Sequence, residues 1–329
     1  MAKKNLKFNS GKEASKKANS RRSAKEVIGK VESLIIFKCN CRCVMCSTAL
    51  QIERSVNNDD YHAIRPFKDI IKDIDRAVKM KAKGFAFSGG EPTLRPDLVD
   101  LIAYAKTKGI PHIEVQSNGR MYFYKEYCQK LIAAGLNNFV ISLHSHKEKV
   151  HDKIMGVPGT FKQVIRGIEN LNSLGQPVKI NVVLIKFNYG HLEDFIKFLL
   201  KFDIKEIRFG MAMLEGSVLK NPKKIVAKMS QVAPHICRAI DLAKEKTDCF
   251  VYSMVPCLMP GYEQYINDMG QFDTILIGPE FETSLDEARK GKKVKSKACK
   301  KCKYNELCYG VWKAYAEVFG LDEIKPIKP

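Results

Sequence analysis

Seven of the eleven cysteines in this 329-residue sequence stand in two tight groups, Cys39, Cys41, Cys43 and Cys46, then Cys299, Cys302 and Cys308. Thiols grouped in a reducing compartment ligate metals or clusters far more often than they pair as disulfides, and an odd count argues against a purely disulfide framework. Cys39, Cys43 and Cys46 follow the spacing C-x3-C-x2-C, with which one loop can wrap three irons of a cubane 4Fe-4S cluster. Three thiolates leave the fourth iron open to bind a substrate directly, much as an open position separates a catalytic zinc from a structural one. Cys41 falls inside the three-residue gap and is read as surplus. Were it to ligate, four thiols would make a structural zinc site, and the cysteines alone leave that alternative open.

Such a loop needs elements to hold it. Short apolar strands are expected at 33–37, 84–88, 112–116, 138–143, 178–185 and 205–209, alternating with amphipathic helical stretches. In one of these Ile70, Ile71, Ile74 and Val78 share a face before Gly84 stops the helix. Six strands alternating with helices imply an α/β fold with a parallel, right-handed sheet, and the count favours a partial (β/α)6 barrel of TIM type. Its chemistry belongs at the C-terminal ends of the strands. The motifs obey that rule. Phe37-Lys38-Cys39 opens the first cysteine loop straight after strand 33–37, and Ser88-Gly89-Gly90-Glu91-Pro92 closes the second strand. Paired glycines let backbone approach a ligand closely and offer carbonyls to an ammonium group, although most such pairs only reverse the chain. Ser117-Asn118-Gly119 ends the third strand, and Ser142 and His144 end the fourth. The chain divides as a basic, disordered arm (1–29), the barrel (30–215), a Lys-rich linker with a further helix (216–249) and a small C-terminal domain organised by metal (250–329).

This order of motifs resembles the radical SAM superfamily over residues 33–215. The resemblance implies that the open iron chelates S-adenosylmethionine (SAM), that Gly89, Gly90, Glu91 and Pro92 contact its amino group, and that Ser117, Asn118, Ser142 and His144 suit its ribose and carboxylate. Met45 stands where the family usually has an aromatic residue, and a thioether can still pack on adenine. Asn181 and Arg208 match positions that often line the pocket, and either could equally serve structure. The stretch His151–Phe161 resembles the family's segment that shapes the SAM pocket, with Thr160 as N-cap of the helix that follows.

The C-x2-C-x5-C run of Cys299, Cys302 and Cys308 is similar to the core of the SPASM and twitch extensions of that family. Trp312 stands where a full SPASM domain has a further cysteine, so one auxiliary cluster is expected, not two. Cys257 is its best fourth ligand, Cys237 and Cys249 are fallbacks, and structural zinc on four thiolates is the alternative. The molybdenum-cofactor branch of the family ends in Gly-Gly, whereas this sequence ends Ile327-Lys328-Pro329, which sets the expectation away from that branch.

The net charge of +20 is uneven. Residues 1–30 hold ten Lys or Arg against Glu13 and Glu26, and Arg289–Lys303 holds nine basic residues and no acid. Two such segments favour an anionic partner, RNA or an acidic peptide, or are simply a solvated tail and loop. No run is long and apolar enough for a membrane span, and the N-terminus lacks a secretory pattern, so a cytoplasmic enzyme is expected. The resemblance implies reductive cleavage of SAM, hydrogen abstraction from a substrate that could be a peptide, a nucleotide, RNA or a metabolite, and ferredoxin or flavodoxin as electron donor. A nucleic-acid-binding protein with structural metal sites is the alternative of another class.

Overall fold

A computed structural model of the chain describes residues 29–57, 63–267, 269 and 273–328. Apart from Gly29, the arm expected over 1–29 lies outside the described residues. The six expected strands are present as β1 (Lys30–Ile36), β2 (Gly84–Gly89), β3 (His112–Ser117), β4 (Asn138–Ser142), β5 (Val178–Leu184) and β6 (Ile204–Met211). Helices α1 (Ala49–Asn57), α2 (Phe67–Lys79), α3 (Leu98–Thr107), α4 (Lys125–Ala134), α5 (Glu148–Met155), α6 (Thr160–Ser173) and α7 (Leu192–Leu199) connect them.

Beyond Met211 the sheet goes on. Over 216–249, where a linker and a further helix were expected, the chain forms a helix, α8 (Met229–Ala243), and then enters a strand that was not expected, β7 (Asp248–Tyr252), which pairs with β6 through Arg208 and Phe250. The chain then returns to the opposite side, where β8 (Thr274–Ile277) lies parallel to β1 and β9 (Glu282–Ser284) antiparallel to β8. The resulting order is β7-β6-β5-β4-β3-β2-β1-β8-β9. This is the partial TIM-type barrel arrangement, with two extra parallel strands too short for their apolar pattern to stand out. After α9 (Leu285–Gly291), a small hairpin of β10 (Lys293–Val294) and β11 (Val311–Trp312) leads into α10 (Lys313–Phe319).

The helix-side faces of the strands supply the core. Phe85, Phe87, Ile113, Val115, Phe139, Ile141, Ile180, Val182, Ile207 and Phe209 are wholly buried, each contributing roughly 1.5–3 kcal/mol. Helix α2 buries Ile70, Asp73, Ile74 and Ala77, whereas Val78 is 38% exposed. The stripe is therefore rotated from the expected one, because Asp73 is drawn inward: its carboxylate accepts from Arg65 Nη1 at 2.7 Å and from Ser33 Oγ at 2.6 Å. Thr160 is not the N-cap of α6 but its first residue. The cap position belongs to Gly159, and the Asp152 carboxylate accepts from the N–H of Gly159 at 2.6 Å and of Phe161 at 2.8 Å and from Thr160 Oγ1 at 2.7 Å. A carboxylate from α5 thus satisfies donors that a helix start leaves open.

The other face of the strands is charged. Lys30 Nζ lies 3.0 Å and Arg208 Nη2 3.2 Å from Glu114, Lys179 Nζ lies 3.4 Å from Glu206, and Arg208 also pairs with Glu206. These residues sit in the first half of their strands, except for Arg208 further along β6. They leave the C-terminal ends for the loops. Among the described residues no helix is long and apolar enough to cross a membrane.

Candidate functional site

The loop after β1 is held by backbone from three directions. Gly90 N–H donates to Ile36 O at 2.6 Å and Glu91 N–H to Lys38 O at 2.9 Å. A Cβ on Gly90 would stand 2.4 Å from Lys38 O, and one on Gly89, whose φ is +125°, 2.2 Å from Ile36 O. Only glycine permits this approach. On the far side Arg42 N–H donates to Met155 O and Val44 N–H to Ile154 O, both at 2.9 Å. Ser217 N–H, following Gly216, donates to Cys46 O at 3.0 Å.

Side chains complete the cradle. Glu91 is wholly buried. Its carboxylate accepts from Asn118 N–H at 2.6 Å, Ser117 Oγ at 2.8 Å, Thr93 N–H at 3.1 Å and Thr93 Oγ1. The Glu91 side chain thus braces one motif against the next and faces protein. Burial raises its pKa, against the pull of those hydrogen bonds. Asn118 Nδ2 donates to Asn40 Oδ1 at 2.7 Å and lies 4.0 Å from Cys39 Sγ. Arg120 adds a tie from Nη1 to Asn40 O at 2.5 Å. Pro92 is buried at the start of a short 3-10 turn, and Met45 is half-buried against the core.

Within this cradle Cys39, Cys43 and Cys46 are half-exposed, whereas Cys41 is 5% exposed with Arg120 Nη1 3.9 Å away. Burial pushes the Cys46 thiol up, with Thr48 pulling the other way. Such a thiol gives up its proton when a metal binds it. The Cys41 side chain, then burial, pushes the Cys39 thiol up as well, while Cys41 N–H, donating to Cys39 Sγ at 3.4 Å, pulls the other way. Among the described residues no three His, Cys, Asp or Glu side chains converge on a single ion.

The remaining predicted pocket residues separate into two kinds. Ser142, Asn181 and Arg208 are register neighbours across β4, β5 and β6. Ser142 and Asn181 are half-buried, and their side chains have no hydrogen-bond partner among the described residues. The Arg208 guanidinium is committed to Glu114 and Glu206. His144 is 2% exposed, and its Nδ1 accepts from Val183 N–H at 3.2 Å, which puts the ring proton on Nε2. Burial, with His151 adding, lowers its pKa to about 3. His151, wholly buried, accepts from His144 N–H at 3.2 Å and has its pKa lowered by burial to about 4. Asn40, Arg120 and Gly216 escaped the sequence reading, and Asp152 entered it only as part of the stretch His151–Phe161, without its role: isolated polar or glycine residues carry no period, and only their partners reveal them.

The second cysteine group gathers with Cys257. Cys257, Cys299, Cys302 and Cys308 line one pocket, together with Pro256, Tyr304 and Ile324. Burial, then the neighbouring thiols led by Cys308, pushes Cys257 up to about 11. Ser296 Oγ lies 3.2 Å from Cys299 Sγ, and Gly310 N–H donates to Cys308 Sγ at 3.3 Å. The fallbacks stand elsewhere: Cys249 is buried in β7 and Cys237 is half-buried on α8.

The Radical SAM superfamily profile matches residues 33–199. A probable GTP 3′,8-cyclase of Sulfolobus acidocaldarius is 38% identical over 121 residues, which is 36% of this chain and 38% of that protein. A GTP 3′,8-cyclase of Thermodesulfovibrio yellowstonii is 34% identical over 164 residues, 49% of each chain. The chain spans about half the length, or less, of these curated relatives. Among solved structures, SuiB of Streptococcus suis bound to S-adenosylmethionine superposes with a TM-score of 0.67 at 15% identity, covering 98% of this chain and 83% of that one. The same protein bound to its precursor peptide SuiA superposes with a TM-score of 0.62 at 17% identity, covering 94% and 79%. The profile covers half of the sequence and the fold agrees with it, and the chain belongs to the radical SAM superfamily.

Proposed function

We propose that this radical SAM enzyme abstracts hydrogen from a peptide, with Cys39, Cys43 and Cys46 holding the cluster that binds SAM. The family implies a 4Fe-4S cluster and SAM, and the site fits both: three half-exposed thiols on one pinned loop, a glycine pair against that loop, and two register-neighbour polar side chains without partners among the described residues. When bound, cluster and SAM supply reductive cleavage to methionine and a 5′-deoxyadenosyl radical. The protein's share is positional. Gly89 and Gly90 bring backbone to the loop, the Glu91 brace fixes Asn118 beside Cys39, Ser142 and Asn181 offer hydrogen bonds, and His144 stays neutral. Cys257, Cys299, Cys302 and Cys308 are proposed to hold a second 4Fe-4S cluster, fully ligated, and ferredoxin or flavodoxin to deliver the electron.

The extent of the fold likeness carries the peptide reading. The match to a protein whose solved structures include one bound to a precursor peptide runs over 94% to 98% of this chain. The match to the GTP 3′,8-cyclases is about as long as the family domain alone or shorter. The test is 5′-deoxyadenosine formation by the anaerobically reconstituted enzyme against a panel of ribosomal peptides encoded near its gene and against GTP. Peptide-dependent turnover with a mass change in the peptide supports the reading. Turnover stimulated by GTP and by no peptide contradicts it.

A further inference from the structure

A cavity of about 210 Å³ opens between the end of β6 and the C-terminal hairpin. Met213, Leu214 and Glu215 form one wall, and Lys292, Trp312, Lys313 and Ala314 the other. Each wall leads to one of the two cysteine sites. The first runs through Gly216 into Ser217, whose N–H donates to the Cys46 carbonyl at 3.0 Å. The second is the β10–β11 hairpin itself, closed by Lys293 opposite Trp312 and Val294 opposite Val311. It continues to Ser296, 3.2 Å from Cys299 Sγ. The cavity therefore borders segments that lead to both thiol sets.

The floor of the cavity is apolar and its wall carries two lysines, Lys292 and Lys313. Leu214 and Trp312 are buried, and Met213 and Ala314 are half-buried. Lys292 and Lys313 are exposed, and the segment that carries Lys292 also exposes Lys290, Lys295 and Lys297. The acid on the cavity wall, Glu215, is paired with Lys292 at 3.2 Å. A site of this kind complements a ligand that is apolar in the middle and negative on either side. Trp312 does not offer the open aromatic face on which a nucleic-acid base stacks: the ring is 8% exposed, with Lys293 Nζ 5.2 Å above it.

We infer that this cavity is a substrate-docking site for an acidic peptide segment, taking one large aliphatic side chain against Leu214 and Trp312 while flanking carboxylates meet Lys292 and Lys313. The site rests on the peptide reading and deepens it, since it states which peptides are held and where. It also gives the basic segment 289–303 a role: to raise the local concentration of an anionic partner, an effect that weakens with salt.

The experiment is anaerobic fluorescence anisotropy with the reconstituted holoenzyme and four probes carrying the same dye: Glu-Glu-Leu-Glu-Glu, Glu-Glu-Ser-Glu-Glu, Lys-Lys-Leu-Lys-Lys and a short oligothymidylate of matching charge. The leucine-centred acidic peptide is expected to bind, at least about tenfold more tightly than the serine peptide, since one buried aliphatic side chain is worth a tenfold change or more. Lys292→Glu with Lys313→Glu is expected to weaken it about tenfold or more. Lys292→Gln with Lys313→Gln should give a smaller loss of the same sign. Both pairs are on exposed side chains, and iron content and the visible cluster spectrum report that each variant is assembled. Binding that ignores both charge changes, or an oligothymidylate that binds as tightly as the leucine peptide, overturns the site. The peptide reading fails separately: if acidic-peptide binding behaves as stated while no peptide supports 5′-deoxyadenosine formation, the site stands and the substrate reading falls.

Discussion

The carboxylate of Glu91 accepts a 2.6 Å hydrogen bond from the backbone N–H of Asn118, joining the loop that ends β2 to the turn that ends β3. Through Asn118 Nδ2 and Asn40 Oδ1, 2.7 Å apart, the link continues into the first cysteine loop. Three strand ends are thereby one unit. Glu91→Ala leaves the donors of Thr93, Ser117 and Asn118 buried without this acceptor, a loss of about 3–5 kcal/mol. Denaturant unfolding should show that loss, and Glu91→Gln a smaller one, with SAM affinity falling in the same order by calorimetry.

Glycine at position 90 is a steric requirement. A methyl group there would meet Lys38 O at 2.4 Å and push the cysteine loop away from β2. Gly90→Ala is expected to keep its far-ultraviolet circular dichroism while SAM cleavage drops roughly 100-fold, the scale of loss that a misplacement of about 1 Å produces. Retained cleavage at the wild-type rate would show that the loop tolerates the shift.

Glu114 stands between Lys30 Nζ at 3.0 Å and Arg208 Nη2 at 3.2 Å on the inner face of the sheet, and those cations hold its pKa far below the usual carboxylate range despite burial. Glu114→Gln leaves Arg208 with Glu206 alone and Lys30 with only Glu32, 3.8 Å away, a cost of about 3 kcal/mol. Adding Lys30→Met should recover part of it, because one poorly paired buried charge is gone. A double variant no more stable than the single one would show that Lys30 is solvated independently.

Two buried histidines make the fold acid-sensitive. Burial lowers His144 to about 3 and His151 to about 4, whereas the unfolded chain protonates them near 6.5. Between those limits the unfolded state binds more protons, so stability rises with pH and is lost as pH falls below about 6.5, by up to about 1.4 kcal/mol per unit for each histidine. Unfolding at pH 7.5, 6.5 and 5.5 should show the decline, and His151→Asn should show about half the slope. Equal slopes for wild type and variant would contradict the assignment.

The second thiol set has its own signature. Substituting Ser for Cys257, which lines one pocket with Cys299, Cys302 and Cys308, should lower the iron of the reconstituted enzyme from about eight atoms per chain toward about four. The corresponding change at Cys249 should leave it untouched. Zinc in place of iron at this site in both proteins would overturn the proposal.

How much was legible in the sequence depended on whether a residue's role repeats. Strands β1 to β6 announced themselves by apolar runs, and the motifs at their ends by type and spacing. β7 did not, since Cys249-Phe250-Val251 is too short a run to separate from helix or loop, and the sheet partner that defines it lies on β6. The glycine pair was legible as a close approach, but not that it approaches the first cysteine loop. Glu91 was legible as part of a motif, yet its role as a brace exists only once Ser117 and Asn118 are beside it. Arg208 fell on the right row of the sheet, while its guanidinium is turned to two glutamates that sequence distance hides. Thr160 looked like an N-cap by type, and Asp152, eight residues earlier, supplies the acceptor instead.

The central claim is that Cys39, Cys43 and Cys46 form the radical-generating site, and the most direct measurement is 5′-deoxyadenosine released from SAM by anaerobically reconstituted, dithionite-reduced protein, wild type beside Cys43→Ala. Release by the wild type and a loss of at least about 100-fold in Cys43→Ala are expected, with the iron at the second thiol set retained. A wild type that retains zinc, takes up no iron and releases no 5′-deoxyadenosine, or a Cys43→Ala variant that cleaves SAM as fast as wild type, would contradict it.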